Sequence, residues 1–321
     1  MSVVETGYRP GMPFAGDRYI LGEVIGRGGH AVVHRAIRRD HEPVALKIVT
    51  TPDLNQLAEH EASIHEHLRH PNVLSYHQAG IDEQGRLYLE LDLAKKSLAS
   101  ILKEDGPPEV AVAVPMLVNV ANGLDYIHDQ GIIHRDIKPA NLLVMNDQNQ
   151  VVVADFGVAM RMPHDPFFDD NNENYGSAPH AAPERVKDPP ESTTASDVYS
   201  LSVVAYETFT GQLPFVGKTS NDFAIAHRSA TPPPFEEMIG NGMMSSTLAA
   251  LEIHVQQGLA KDPSQRPRAG DFGESLIVAF NQAQVDQARE RTVIDVGRSR
   301  LSILRRRSSR TQPLDPISQV S

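Results

Sequence analysis

Two short segments of the sequence carry most of its reactive side chains, residues 134–141 and 155–157. They contain carboxylates, a lysine and an amide, which suit chemistry on phosphate groups. Transfer of a γ-phosphoryl group requires backbone that cradles phosphates, cations that neutralise charge, oxygen ligands for a metal ion and an oriented nucleophile. The sequence offers residue types for each of these tasks, in order along the chain.

A glycine-rich turn follows the first predicted strand. Its residues are Gly26, Arg27, Gly28, Gly29, His30, Ala31, Val32 and Val33. Glycines let backbone N–H groups approach phosphates closely. A plain hairpin explains the same turn and is the more common meaning of such a pattern. A dinucleotide-binding turn is less well supported, because a strand rather than a helix follows.

Lys47 ends the apolar run that starts at Val44. A lone ammonium group in such a strand is costly unless a carboxylate pairs with it. Glu61 is the natural partner, because it lies on the apolar-facing stripe of the next predicted helix. The alternative is a strand-end lysine whose charged group reaches water.

The segment 134–141 resembles the catalytic loop of protein kinases nearly letter for letter. The triplet 155–157 follows at a suitable spacing, and the resemblance covers roughly residues 17–284. A lysine at 138 followed by Pro139 looks like serine/threonine kinases, and the Gly28-Gly29 doublet is most similar to the bacterial branch of the eukaryotic-like (Hanks-type) kinases.

The resemblance implies a role for each polar residue of the two segments. Asp136 would accept or orient the proton of the substrate hydroxyl, and Lys138 would contact the γ-phosphate. Asn141 and Asp155 would hold Mg²⁺, with Mn²⁺ as an alternative. ATP is then the phosphate donor.

The resemblance also implies an ATP site built mostly by the first lobe. In it, Val33, Ala45 and Leu143 would sandwich the adenine. Leu91 aligns with the gatekeeper, and the hinge after it would read the adenine edge. The full implied set is Ile25, Gly26, Arg27, Gly28, Gly29, His30, Ala31, Val32, Val33, Ala45, Lys47, Glu61, Leu91, Asp92, Leu93, Ala94 and Leu143.

Three further residues resemble the scaffold of the family. Glu184 in Ala182-Pro183-Glu184 would pair with Arg266, and Asp197 would brace the catalytic loop. Because the first two belong to the peptide platform of the family, they favour protein substrates over a small-molecule substrate. The resemblance therefore predicts a protein serine/threonine kinase that also autophosphorylates.

A catalytically silent pseudokinase, which binds nucleotide and signals by protein contact, is the alternative function. Such proteins usually lose a key lysine, catalytic aspartate, asparagine or metal-binding aspartate. Lys47, Asp136, Asn141 and Asp155 are all present, which favours catalysis.

The segment between Gly157 and Tyr175 contains no Ser or Thr. Asp169, Asp170 or Glu173 could supply Arg135 with the negative charge that a phosphate gives in related loops. A solvated acidic loop explains the composition equally well. A calcium loop does not fit, because its glycine and terminal glutamate are missing.

Four histidines, His60, His65, His67 and His70, suggest a metal site at first sight. Their spacing does not place three of them on one helix face, so ordinary structural roles are favoured.

The elements that must position these residues change in character along the chain. Apolar alternation from Tyr19 to Ile48 and in Leu87 to Leu93 predicts antiparallel strands, with a helix over Leu54 to Leu68. Helical spacing then dominates, as in Val112 to Leu124, Ala195 to Phe209 and Leu248 to Leu259. The pattern predicts an α+β, two-lobed protein kinase fold: a small antiparallel-sheet N-lobe with one main helix and a larger, mostly helical C-lobe.

Composition divides the 321 residues into three parts. A flexible leader is expected over 1–16, a kinase domain over 17–284 (N-lobe about 17–91, C-lobe about 95–284), and a basic, disordered tail over 285–321. The net charge of −11 argues against specific nucleic-acid binding. The absence of cysteine, of a signal peptide and of a membrane-spanning stretch leads us to expect a cytoplasmic protein.

The basic tail has two interpretations. It contains eight arginines and four acidic residues after residue 285. Thr292, followed three residues later by Asp295, fits what phosphothreonine-reading forkhead-associated (FHA-type) domains recognise, so a partner could bind there once Thr292 is phosphorylated. The alternative is a solubilising tail without a partner.

Overall fold

The N-terminal part of the structure consists of a twisted sheet and one helix. A computed structural model describes residues 7–162, 165, 177–186, 191–240 and 245–308, with side chains as far as residue 289. The first strands are β1 (Pro13–Phe14), β2 (Tyr19–Arg27), β3 (Ala31–Arg38), β4 (Pro43–Val49), β5 (Tyr76–Ile81) and β6 (Leu87–Asp92). They pair antiparallel in the order β1-β2-β3-β4-β6-β5, and helix α1 (Asn55–His65) connects β4 to β5.

Alternation along the strands separates two faces of this sheet. Ala45 and Leu91 are cross-strand partners and belong to the apolar cluster that also contains Ala58 and Ala62 of α1. Leu46 and Ile48 point the other way, into a cluster with Tyr19 and Tyr88. The sheet is therefore covered on both faces at β4 and β6, which are buried along almost their whole length.

The leader takes part in the N-lobe, contrary to the prediction that residues 1–16 are flexible. Phe14 is fully buried, with its ring 5.0 Å from that of Tyr88. Tyr8 donates a hydrogen bond to Asp82, and the guanidinium of Arg86 lies 4.7 Å from the Tyr8 ring centroid. The glycines and prolines of this segment form turns that bring its aromatic side chains onto the sheet. Residues 1–6 lie outside the described part of the chain.

The C-terminal part is mostly helical, as predicted. Its helices are α2 (Leu98–Glu104), α3 (Val110–Asp129), α4 (Thr194–Thr210), α5 (Ser220–Ser229), α6 (Phe235–Ile239), α7 (Ser246–Gly258) and α8 (Ala269–Ser308). Short strands flank the loops of this part. They are β7 (Lys96–Ser97), β8 (Ile132–Ile133), β9 (Leu142–Val144), β10 (Val151–Val153) and β11 (Met160–Arg161). The α+β, two-lobed architecture is confirmed.

Helix α3 runs through the core of the C-lobe and packs on α4, α8 and β10. It is long and apolar enough to cross a membrane by length and composition, and half of that stretch is buried inside the protein. Gly123 allows α3 to approach the loop before β5, because a Cβ there would lie 2.3 Å from the carbonyl oxygen of Asn72. The apolarity of α3 thus matches its central place in the core.

Helix α8 contradicts the predicted disordered tail as far as residue 308. It begins in the core with Phe272 and Leu276 fully buried and continues without interruption to Ser308. The sequence from 285 to 308 contains many good helix formers and no proline, so a helix started in the core can continue through it. Residues 309–321 lie outside the described part of the chain.

Candidate active site

Lys47, Glu61 and Asp155 form an ion-paired cluster between the two lobes. The Nζ atom of Lys47 lies 2.7 Å from both carboxylate oxygens of Glu61 and 2.7 Å from Oδ1 of Asp155. The predicted pairing of Lys47 with Glu61 is therefore present. It fixes an ammonium group beside a second carboxylate that comes from the other lobe.

The pKa values in this cluster follow from burial and from the mixture of charges. Burial opposes the charge on Lys47, but Asp155 and Glu61 outweigh it and raise the pKa of the ammonium group. Lys47 lowers the pKa of Asp155 to about 2. Burial raises the pKa of Glu61, because Lys47 only partly compensates for the loss of water. Lys47 and Asp155 are thus charged at neutral pH.

Backbone geometry brings the cluster together. Lys47 lies opposite Val33 on one side of β4 and opposite Leu89 on the other. Asp155 has a φ of 69°, which turns its side chain toward Lys47 at the cost of backbone strain. Gly157 lies next to the cluster, since a Cβ there would come within 3.4 Å of both carboxylates, an ordinary contact distance.

The loop between β8 and β9 brings together Asp136, Lys138 and Asn141. The Oδ2 atom of Asp136 accepts hydrogen bonds from Lys138 Nζ at 2.6 Å and from Asn141 Nδ2 at 3.0 Å. Its Oδ1 accepts a bond from the backbone N–H of Ser177 at 3.1 Å. These three donors fix the direction of the carboxylate.

Asp197 of α4 stabilises this loop by accepting three hydrogen bonds. It accepts hydrogen bonds from the backbone N–H groups of His134 and Arg135, both at 2.8 Å, and from His128 Nε2 at 3.0 Å. Burial alone would raise the pKa of Asp197, but the bond from His128 and the other donors lower it. Arg135 has a φ of 69°, a strained conformation that these bonds maintain. The bracing role predicted for Asp197 agrees with this geometry.

Comparison with known protein families matches residues 19–275 to the protein kinase domain. The chain belongs to the protein kinase family. It is 31% identical over 301 residues to the serine/threonine-protein kinase PknB of Mycobacterium leprae, covering 89% of this chain and 46% of that protein.

Two further relatives are similar. The probable serine/threonine-protein kinase PknB of Bifidobacterium longum is 30% identical over 323 residues, covering 95% of this chain and 46% of that protein. The serine/threonine-protein kinase PknA of Mycobacterium tuberculosis is 32% identical over 273 residues, covering 82% and 61%. The chain spans about half the length of most curated relatives it matches. These relatives confirm the predicted bacterial, Hanks-type class.

Several side chains that the kinase resemblance implies for an adenine pocket lie together, while their contact with adenine stays a prediction. Val33, Leu93 and Leu143 pack against the buried cluster that contains Ala45 and Leu91. Asp92, which the resemblance places in the hinge, accepts a hydrogen bond from His77 at 2.6 Å. Ala94 follows directly in the segment that connects the lobes.

The glycine-rich turn forms the hairpin between β2 and β3, and its role in binding phosphates stays a prediction. Ile25, Gly26 and Arg27 end β2, and Gly28, Gly29 and His30 form the turn before β3. Gly28 closes it with a hydrogen bond to the carbonyl of Ala31 at 2.9 Å. The side chain of Val32 departs from the predicted set, because it shares a face with its partner Ile48, away from Lys47. Val32 can contribute only its backbone.

Asn141 and Asp155 provide oxygen atoms that fit a divalent metal ion, which kinases use with ATP. The amide nitrogen of Asn141 donates to the backbone carbonyl and the carboxylate of Asp136, which leaves its Oδ1 as an acceptor. Amide and carboxylate oxygens are the ligands preferred by hard cations. The two side chains could therefore hold such an ion.

The predicted scaffold pair is buried in the C-lobe. Arg266 donates to both carboxylate oxygens of Glu184, at 2.7 and 2.8 Å, and both side chains are almost completely buried. Burial opposes ionisation of Glu184, but the bonds from Arg266 outweigh it and lower its pKa. The pair fixes the position of the segment that contains Glu184.

The histidines have structural contacts, as the sequence suggested. No group of three metal-ligating side chains occurs within the described residues. His60 Nε2 lies 3.0 Å from the Ala159 carbonyl, and His67 Nδ1 lies 3.2 Å from the Ser63 carbonyl. His70 stacks on Tyr126 with ring centroids 4.9 Å apart.

His65 has a role that the sequence analysis missed. Its ring lies 4.7 Å from that of Phe156 and 5.7 Å from that of Tyr76, and Phe156 lies 5.1 Å from His134. These rings, of which all but that of Tyr76 are fully buried, form a contiguous row from the sheet to the catalytic loop. The only signal was the position of His65 four residues after Glu61 on α1, which places both on one face.

Proposed function

We propose that the chain transfers the γ-phosphoryl group of ATP to Ser or Thr hydroxyls of proteins, including its own. The observation that carries this proposal is the intact pairing of Lys47 with Glu61 beside the oriented carboxylate of Asp136. The structure thus contains both the residues proposed to bind the phosphates and the residue proposed to orient the acceptor hydroxyl. The names of the relatives and the lysine at 138 support serine and threonine as acceptors.

The residues divide the reaction between them. Asp136, held by three donors, takes the proton as the acceptor hydroxyl oxygen bonds to the γ-phosphorus. The bond from that phosphorus to the β–γ bridging oxygen breaks, and ADP leaves. Lys138 offsets the negative charge on the transferred group, and Lys47 binds the other phosphates.

We propose Mg²⁺ as the metal at Asn141 and Asp155, with Mn²⁺ as an alternative. When bound, such an ion would neutralise charge on the phosphates. The support for this is the chemistry of the two side chains, since amide and carboxylate oxygens are the ligands that hard cations prefer.

The pseudokinase alternative is less well supported. It would not require Asp136 to be oriented by Lys138 and Asn141, nor the strained φ of 69° at Asp155. A small-molecule kinase would not require the buried pair of Glu184 and Arg266 behind the acceptor side of the site.

Two regulatory hypotheses remain predictions. Asp169, Asp170 and Glu173, proposed as a substitute for a loop phosphate, lie outside the described residues. Thr292 lies in α8, in the part whose side chains are not described, and is still proposed as a site for an FHA-type partner. Mass spectrometry after incubation with ATP tests the second hypothesis, since an unmodified Thr292 contradicts it.

The decisive experiment compares wild type with Asp136→Asn. Both are incubated with radiolabelled ATP, Mg²⁺ and myelin basic protein, while ATP binding is measured separately by calorimetry. We expect incorporation into Ser and Thr by wild type and at least about 100-fold less by the variant, in line with general-base contributions. Equal, background-level transfer by both proteins with intact ATP binding would favour the pseudokinase.

A further inference from the structure

The segment Ser177–His180 forms one wall of a cavity beside the catalytic aspartate. Ser177 donates its backbone N–H to Asp136 at 3.1 Å. Ser177, Pro179 and His180 line a cavity of about 400 Å³ together with Lys138. If the proposed function is correct, an acceptor peptide must pass along this wall to bring its hydroxyl to Asp136.

A buried histidine of α5 holds one carbonyl of this wall in place. His227 is completely buried, and its Nε2 lies 3.1 Å from the carbonyl oxygen of Pro179. Its Nδ1 lies 2.9 Å from the hydroxyl of Tyr199 on α4. Since a carbonyl can only accept, Nε2 carries the proton, and Nδ1 accepts from Tyr199. Burial lowers the pKa of His227 to about 4, so the ring is neutral and these contacts specify one tautomer.

The surroundings of His227 fix its ring and backbone as well. The ring of Phe215 meets the imidazole edge-on at 4.9 Å. Lys261 donates to the backbone carbonyl of His227 at 2.7 Å and lies 4.4 Å from the centroid of Phe215. The side chain thus has one orientation, aimed at the wall of the cavity.

Side chains of α4 and α5 hold this wall in place. Its next carbonyl, that of His180, accepts a bond from Ser200 on α4 at 2.7 Å. Two successive carbonyls are therefore held, one from α5 and one from α4. Loss of the His227 bond would leave the Pro179 carbonyl without this donor and release the segment that also contacts Asp136.

We propose that His227 is a positioning residue for the acceptor protein: through the Pro179 carbonyl it sets the wall against which the acceptor binds. It has no contact with the cluster at Lys47, Glu61 and Asp155, which lies on the ATP side. Its removal should therefore weaken use of the acceptor and leave use of ATP unchanged.

Two substitutions at position 227 separate the two hydrogen bonds. The amide nitrogen of His227→Gln can occupy the place of Nε2 and keep the bond to Pro179. The shorter His227→Asn can reach only the place of Nδ1 and loses that bond. Both variants remove the imidazole, and Asn is one methylene group shorter than Gln, so urea unfolding of both separates lost packing from the lost hydrogen bond.

The test measures KM for myelin basic protein and for ATP with the full chain. We expect His227→Asn to raise KM for the acceptor about three- to tenfold, the value of one neutral hydrogen bond. His227→Gln should stay within about twofold of wild type, and KM for ATP should not change in either. Tyr199→Phe, which keeps the Pro179 bond, provides a third measurement and should raise the acceptor KM less than His227→Asn.

Equal effects of Asn and Gln on the acceptor KM, or a parallel rise in KM for ATP, would overturn the positioning role. If His227→Asn does not fold, an acceptor KM for His227→Gln or Tyr199→Phe that rises tenfold or more overturns it, and near-wild-type values support it. Absence of transfer by wild type would instead refute the proposed function itself.

Discussion

The buried pair of Arg266 and Glu184 allows a quantitative prediction. Replacing Arg266 with Ala leaves the Glu184 carboxylate fully buried with Ser196 as its remaining side-chain donor, at 2.7 Å. Removing one partner of a buried ion pair costs about 3–5 kcal/mol, because the other charge stays in a medium of low polarity. Arg266 also donates to the carbonyls of Ala195 and Ala260, at 2.9 and 2.8 Å, which places the expected loss at the upper end.

Urea unfolding followed by circular dichroism measures this loss. Arg268 provides a matched control two residues away, since its guanidinium pairs with Asp129 at 2.8 Å but is largely exposed. Solvent screens that pair, so Arg268→Ala should change the unfolding free energy by only a small fraction of the Arg266→Ala effect. Similar losses for the two variants, or a loss below about 1 kcal/mol for Arg266→Ala, would refute the reasoning from burial.

The effect of Arg266→Ala should also depend on pH. Because the pKa of Glu184 is lowered in the folded protein, its contribution is fully present above the unfolded value of about 4.3. It is lost as pH falls through the folded pKa. The difference between wild type and variant should therefore be largest near neutral pH and shrink below about pH 4. A difference that grows on acidification contradicts this account.

Three further predictions test other parts of the structure. Phe14→Ala should lower the unfolding free energy by about 3–5 kcal/mol, because the ring is fully buried; no change in urea unfolding would mean that the leader is detached. Burial lowers the pKa of His65 to about 4, so the folded protein disfavours the protonated ring. The contribution of His65 to the free energy of unfolding is fully present above about pH 6.5, and about 3 kcal/mol of it is lost as pH falls to 4. His65→Leu should flatten this dependence in thermal melts, and an unchanged pH profile would contradict it. Lys47→Met should reduce kcat/KM for ATP at least about 100-fold in the radiolabel assay while the protein still folds, whereas near-normal transfer would remove Lys47 from the site.

That the three polar side chains of the loop 134–141 meet was predictable, because they are close together in the sequence. Asp136, Lys138 and Asn141 lie within one loop, and a loop of that length can bring them together without long-range information. The pairing of Lys47 with Glu61 was also predictable, since a charge on the apolar stripe of a helix needs a partner.

Other residues could not be assigned from the pattern alone. Nothing in the sequence distinguishes the roles of His65 and His227. In the structure, the ring of His65 packs against that of Phe156, and His227 bonds to the Pro179 carbonyl in the cavity wall. The leader was predicted to be flexible because it contains several glycines and prolines, and the tail after residue 285 because it is rich in arginine. Their composition does not show that Phe14 meets a sheet or that α8 starts inside the core.

By itself, the sequence determined which chemistry the chain can perform, because residue type and short spacing fix which groups can act on a phosphate. Only the tertiary structure decided how that chemistry is held in place. Asp197 and His227 reach the catalytic loop and the acceptor wall from helices far along the chain. Such contacts depend on how the lobes and helices pack, and packing is a property of the whole chain rather than of any local segment.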